Sequence, residues 1–202
     1  MSLQIPPGHF QGLIFDFDGT LVDSMMIHQN AWQMALESLG GRFPLPIEEY
    51  LNLGGTSTLQ VAKLFLKKNN LSHPPEELVQ RKESYFAQTL HLVQPIDCVL
   101  QHALEESKKG VKISIASGSS YPLILSVLDH LKLTSHFPIV LTPQAVQRSK
   151  PAPDLFLLAA EKMNLSPADC LVFEDSPLGI QAAKAAGMLS VYIPKTLWKT
   201  KK

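Results

Sequence analysis

The residues of this chain most able to do chemistry are acidic or hydroxylic side chains that follow short apolar runs. Asp16 lies near the end of the run GLIFDF and Asp18 directly follows it, and Gly19, Thr20, Leu21, Val22 and Asp23 come next. Carboxylates at i and i+2 reach one crevice if the chain turns at Asp18-Gly19. Gly19 permits that turn and lets backbone N–H groups, with Thr20, approach an anion. One carboxylate can then act as nucleophile and the other as acid and base. Ser117-Gly118-Ser119-Ser120 follows the run KISIA. A hydroxyl and exposed N–H groups at a helix start suit a phosphate-sized anion, although Ser119 or Ser120 serves equally well as a helix cap. Lys150-Pro151-Ala152-Pro153-Asp154 holds a lysine beside a proline-stiffened turn, where it can supply a fixed positive charge; Asp154 reads as the cap of the next helix. The fourth segment, Glu174-Asp175, follows the apolar run CLVF. Three or four carboxylates at one rim repel one another unless a cation neutralises them, and all-oxygen ligands point to Mg²⁺.

These segments need elements that bring them together. Residues 12–17 read as a buried strand. Helical spacing follows, with a stop at Gly40-Gly41, a loop marked by Pro44 and Pro46, and further helices over 59–66 and 76–90. After Pro95 helices (99–108, 122–131, 154–163, 177–186) alternate with short runs that read as strands (112–116, 138–141, 170–173, 189–193). That alternation predicts an α/β fold, a Rossmann-like parallel sheet with helices on both faces. The simplest organisation is a core of residues 1–22 and 93–202, with a small helical cap of residues 23–92 inserted after the first strand. In an open parallel sheet ligands bind beyond the carboxyl ends of the strands, so the four segments converge on one site.

The bulk composition narrows the alternatives. The chain has 202 residues, 45% of them hydrophobic, enough for a packed core. Eighteen basic and eighteen acidic side chains cancel, so charge argues for neither a nucleic-acid nor a membrane-surface partner. The basic run 195–202 reads as a solvated end. Cys98 and Cys170 form no CxxC pair and read as thiols in a reducing compartment. No stretch suits a membrane span, and the first ten residues lack the basic and apolar regions of a signal peptide. The expectation is a cytoplasmic monomer.

Taken together and in order, the four segments resemble the motifs of the haloacid dehalogenase-like phosphohydrolases. DFDGTLVDS matches the family's DxDGT signature, Ser117 its lone Ser/Thr, Lys150 its lysine and Glu174-Asp175 its acidic pair. SKPAPDLFLLAAEKM and VFEDSPLGIQAAKAAGM are similar to the branch that holds β-phosphoglucomutase and bacterial fructose-1-phosphate phosphatases. The resemblance implies that Asp16 attacks phosphorus and that Asp18 protonates the leaving alcohol and then activates water. It implies Mg²⁺ on the Asp16 carboxylate, the Asp18 carbonyl and Asp175, with Glu174 as ligand or neighbour, and Ser117 and Lys150 on the phosphoryl oxygens, flanked by Gly19, Thr20 and Gly118. In the cap, His28 and Lys82 match a histidine that couples substrate binding to the acid/base residue and a lysine that meets the sugar. Read alone, His28 is equally a half-buried helix histidine and Lys82 a solvated one. An acid at position 18 favours phosphate esters over carbon–halogen bonds. Ser57 or Thr58 stands where the mutases place an arginine for a second phosphate, which favours hydrolysis of a small phosphorylated metabolite over phosphoryl transfer. A non-catalytic phosphate-binding protein is the alternative of another class.

Overall fold

The computed structural model describes residues 3–199. In it the chain opens with β1 (Gly12–Phe15) and the two-residue β2 (Val22–Asp23). Four helices follow: α1 (Met25–Glu37), α2 (Ile47–Leu51), α3 (Thr58–Asn69) and α4 (Pro75–Gln88). β3 (Gln94–Pro95) then pairs antiparallel with β2, so the chain leaves for the helical insert and returns from it at one place. From there helices and strands alternate as α5 (Asp97–Lys108), β4 (Lys112–Ala116), α6 (Tyr121–His130), β5 (Val140–Leu141), α7 (Asp154–Lys162), β6 (Cys170–Glu174), α8 (Pro177–Ala185) and β7 (Leu189–Tyr192).

Five strands form a parallel sheet in the order β5-β4-β1-β6-β7. β1 lies at its centre because it is apolar on both faces. Leu13 and Phe15 point into one buried cluster with Val99 and Ala103 of α5 and Leu123, Ile124 and Val127 of α6. Ile14 points into the opposite cluster, with Leu155 and Phe156 of α7 and Ala182 and Ala183 of α8. This period-two alternation with both faces covered is what a parallel sheet requires. The register levels the carboxyl ends: Phe15 pairs with Ile115 of β4 and with Phe173 of β6, and the two phenylalanine rings stack with centroids 4.6 Å apart. The strand order reverses between β1 and β6, the place where such sheets bind ligands.

The insert has its own apolar cluster, in which Trp32 and Leu36 of α1, Tyr50 of α2, Phe65 of α3 and Leu78 of α4 are buried. The sequence did not suggest α2, since Pro44 and Pro46 mark that stretch as loop; Pro46 instead stands directly before the helix start. The expected strand over 138–141 is reduced to Val140–Leu141, at the edge of the sheet. Nor does Asp154 cap α7. It is the first helical residue and pairs with Arg148 at 2.8 Å. The segment expected to be solvated beyond residue 195 is docked as far as Lys199: Trp198 is half-buried against both the core and the insert. Residues 200–202 of that run lie outside the described residues. No helix among the described residues is long and apolar enough to cross a membrane.

Candidate active site

Asp16 follows the last residue of β1, and its backbone N–H still donates to Phe173 O on β6 at 2.9 Å. Its carboxylate is therefore held at the reversal of strand order, with 3% of the residue exposed. Lys150 arrives from the loop before α7. Its Nζ, fully enclosed, lies 2.6 Å from Asp16 Oδ1 and 2.7 Å from Glu174 Oε1. The other oxygen of Glu174 accepts from the backbone N–H of Ser176 at 2.7 Å and from its hydroxyl at 2.9 Å. The hydroxyl in turn accepts from Gly179 N–H at 3.0 Å and so caps α8. A Cβ at Gly179 would overlap the Glu174 carboxylate. Glu174 thus lies inside the acidic cluster, but both its oxygens are taken up in fixing Lys150 and the start of α8.

Asp16, Glu174 and Asp175 offer oxygens within 4.8 Å of one another and could hold a metal ion. Three carboxylates against the single ammonium of Lys150 leave the cluster with two negative charges in excess when all are ionised. Burial, reinforced by Glu174, pushes the Asp16 carboxyl up to about 8 against the pull of Lys150. Burial and the charges of Glu174 and Asp16 raise Asp175 well above the carboxylate range. Lys150 shifts upward: burial opposes its charge, but Asp16 and Glu174 outweigh it. A divalent cation fits this donor set, since it would remove the repulsion that these buried acids otherwise relieve by taking up protons.

Asp18 faces a different environment. Its Oδ1 accepts from Ser24 Oγ at 2.6 Å and lies 2.8 Å from His28 Nε2, and its Oδ2 accepts from Ser119 Oγ at 2.5 Å. Burial works against its charge, yet the His28 imidazole and the bonds from His28, Ser119 and Ser24 hold the carboxyl below its usual range. His28 is buried, stacks on Phe86 with centroids 4.3 Å apart, and is shifted down by burial and by Lys82. Through Nε2 the ring ties the Asp18 carboxylate to α1. Lys82 is not solvated. It is 2% exposed, sits 5.5 Å from the Trp32 ring centroid and 5.4 Å from that of Phe86, and burial depresses it to about 8.

These groups surround a cavity of about 60 Å³ between core and insert. Asp16, Asp18, Ser117, Gly118 and Ser119 line it from the sheet side, and His28, Trp32, Tyr50, Thr56 and Lys82 from the helical side. The loop before α3 covers it closely. Thr58 N–H and Oγ1 both donate to Gly118 O, at 3.3 and 3.4 Å, and a Cβ on Gly118 would come within 2.7 Å of Thr56 O. Across the mouth, Ser120 Oγ of the core donates to Glu83 of α4 at 2.6 Å. Ser120 therefore latches the insert rather than capping α6, and Ser119 is drawn to Asp18.

Two sequence expectations shift. Gly19 N–H donates to Val22 O at 2.7 Å and Thr20 N–H to Phe17 O at 3.3 Å, so neither amide is free for an anion. Thr20 Oγ1 instead donates to Asp175 Oδ1 at 3.2 Å. Both residues build the wall of the acidic cluster. Ser117 is buried on the cavity, its Oγ accepting from Ser119 N–H at 3.1 Å. Ser24 and Ser176 had no role in the sequence reading, and Ser119 was read only as a helix cap. Their spacing to Asp18 and Glu174 was visible, but lone hydroxyls carry no signal apart from the fold.

The haloacid dehalogenase-like hydrolase family matches residues 13–193, and the chain belongs to that family. Within it, the chain is 35% identical to the fructose-1-phosphate phosphatase YqaB of Escherichia coli over 184 residues, 90% of this chain and 95% of the relative. It is 30% identical to the beta-phosphoglucomutase of Bacillus subtilis, over 90% of this chain and 82% of that one. Among solved structures, CbbY of Rhodobacter sphaeroides in complex with phosphate superposes with a TM-score of 0.84 at 22% identity, over 96% of this chain and 90% of that one, and shares the fold.

Proposed function

We propose that the chain is a Mg²⁺-dependent phosphatase that hydrolyses a small phosphate monoester, a sugar phosphate, through an aspartyl-phosphate on Asp16. The observation that carries this reading is the pairing of two buried aspartates in opposite electrostatic states. Asp16 is packed among negative charge beside Lys150, and Asp18 is held ionised by three donors.

Asp16, Asp175 and the Asp18 backbone carbonyl are the ligands we assign to the cation, with Glu174 fixing Lys150. When bound, the cation supplies positive charge for the phosphoryl oxygens. Lys150 and Ser117 hold those oxygens in line with the Asp16 carboxylate, which displaces the alcohol from phosphorus. Positioning and charge neutralisation account for most of the rate in such transfers. The ionised Asp18 in this structure is the base form, ready to take a proton from the water that cleaves the aspartyl-phosphate. To act first as an acid toward the leaving alcohol it must be protonated, which the negative charge of the arriving phosphate favours. His28 and Ser119 sense that exchange, since each bonds directly to Asp18.

The phosphoryl-transferase reading needs a cation in the cap loop for a second phosphate. Ser57 at that place caps α3, accepting from Gln60 N–H at 3.4 Å, and Thr58 turns to Gly118. Hydrolysis is therefore preferred. The cavity suits a small phosphorylated metabolite rather than a polymer. The balanced charge and the free thiols fit a monomer of the cytoplasm without nucleic-acid or membrane partners.

Asp16→Asn with saturating Mg²⁺ is the direct test. Phosphate release from p-nitrophenyl phosphate and from ketose and aldose phosphates should fall by roughly 10⁴-fold or more, the scale of losing a nucleophile. Surviving activity would overturn the mechanism and leave a binding protein as the better reading. Incubation with glucose 1-phosphate and a trace of the 1,6-bisphosphate separates the enzymes: glucose 6-phosphate outpacing free phosphate would favour the transferase.

A further inference from the structure

The segment after β7 returns across the sheet to the loop that carries Asp18. A short 3-10 turn at Lys195–Leu197 brings Trp198 there, and its Nε1 donates to Gly19 O at 2.9 Å. Gly19 has φ +84 and no side chain, and its surroundings leave room for none. A Cβ would come within 2.5 Å of Asp175 Oδ2 on one side and 2.9 Å of Trp198 Cζ2 on the other. The Gly19 Cα is thus held between the Asp175 carboxylate and the indole. Lys199 N–H then donates to Asp23 Oδ2 on β2 at 2.5 Å, and its Nζ reaches Asp97 at the start of α5 at 2.6 Å. The segment touches the chain on its way into the helical insert and on its way back.

The Lys199–Asp97 pair is about half exposed on both sides and contributes little by itself. The indole is placed differently. The Asp18 carboxylate is held by Ser24, His28 and Ser119, but beyond it the Gly19-Thr20 stretch has one short backbone bond, Gly19 N–H to Val22 O at 2.7 Å, and two longer bonds from Thr20, each at least 3.2 Å. The Trp198 bond fixes the plane of the Gly19–Thr20 peptide, and its ring blocks the outer side of the loop.

We propose that Trp198 is a positioning residue for the proposed phosphatase site. It clamps the Gly19 peptide, and through it the backbone and side chain of Asp18 and the contact of Thr20 with Asp175. The inference rests on the reading of Asp16 and Asp18 as the reacting pair. A loop so released misplaces Asp18 without removing any group that touches the substrate, so the loss belongs in kcat rather than KM.

Trp198→Phe keeps the ring and removes the N–H; Trp198→Ala removes both. Two readouts decide. Backbone hydrogen–deuterium exchange over residues 17–24 of the metal-free protein should quicken in the order wild type, Phe, Ala. With p-nitrophenyl phosphate, kcat per folded molecule should fall about 10-fold for Phe and up to about 100-fold for Ala, while KM stays within about twofold. Unchanged exchange over 17–24 in the Ala variant overturns the clamp. Faster exchange with wild-type kcat, or a loss confined to the folded fraction, makes Trp198 structural only and overturns its positioning role. If wild type hydrolyses no phosphate ester, the phosphatase reading is what fails, and the exchange experiment still decides whether Trp198 holds the loop.

Discussion

Lys82 shows what a single residue at this site does to stability and chemistry. Its ammonium is almost fully enclosed, and burial lowers it from 10.5 to about 8. Between those two values the unfolded chain binds more protons than the folded one, so folding stability rises with pH from about 8 to 10.5. Below pH 8 the buried charge opposes folding by on the order of 3 kcal/mol. Lys82→Met should therefore raise the melting temperature at pH 7 and remove that pH dependence. It should also raise KM for a sugar phosphate by roughly 10- to 100-fold, the scale of a lost charged hydrogen bond. Thermal melts across pH 7–10.5 and steady-state kinetics check both halves. A position that destabilises the fold while lining the cavity is best explained by function. The family resemblance pointed to Lys82 as a sugar contact, but its burial was not legible, because a lysine beside Arg81 on a helix looks solvated until the neighbouring helices are placed. Asp16, Asp18, Lys150 and Asp175 were legible earlier. Each follows an apolar run or sits against a proline turn, and the fold brings such places together. Gly19 and Thr20 were read as anion donors because a turn exposes amides in general; here Val22 O and Phe17 O take them.

The elements divide the work unequally. The parallel strands level Asp16 with Glu174 through register, with Ser117 one residue beyond the same level, directly after β4, and this part followed from the alternation of helices and short apolar runs. The pairing of β2 with β3 was not visible, since two residues on each side carry no periodicity. Nor was α2, whose five residues follow a proline-marked loop; its Tyr50 nevertheless lines the cavity. The loop before α3 is the element on which closure depends. It rests on Gly118 so closely that Gly118→Ala would place a methyl within 2.7 Å of Thr56 O and 3.0 Å of Gly55 O, both backbone atoms that cannot swing aside. The variant should fold, because the conflict lies between core and insert rather than inside either. It should hold the insert ajar and lower kcat/KM by about 10- to 100-fold. Small-angle scattering should show a larger radius of gyration than wild type, and an unchanged radius with unchanged kcat/KM would contradict the role given to this contact.

For the whole molecule the dominant tension is the acidic cluster packed at the centre of the sheet. Without metal, Asp16 is raised from 3.8 to about 8, so between these values the folded chain binds more protons than the unfolded one and stability falls as pH rises. Lys150 stays protonated in both states over that window, since its pKa is raised from 10.5. The melting temperature of the metal-free protein should accordingly decline from pH 5 to pH 8. Mg²⁺ should restore it, most strongly at the alkaline end, by about 2.7 kcal/mol at a hundred times its dissociation constant. Asp175→Asn should abolish most of that gain. Calorimetry with EDTA and with Mg²⁺ at each pH measures these effects, and a metal-independent melting curve would remove the cation from the account.

The two tryptophans give the molecule a built-in optical readout. Trp32 stands in the cavity wall within 5.5 Å of the Lys82 ammonium, and Trp198 lies half-buried against Gly19. An arriving substrate changes the polarity around the first indole, whereas release of the loop wets the second and shifts its emission to the red. Stopped-flow fluorescence of single-tryptophan variants can therefore time the filling of the site separately from the loosening of the loop that carries Asp18, without any labelled substrate.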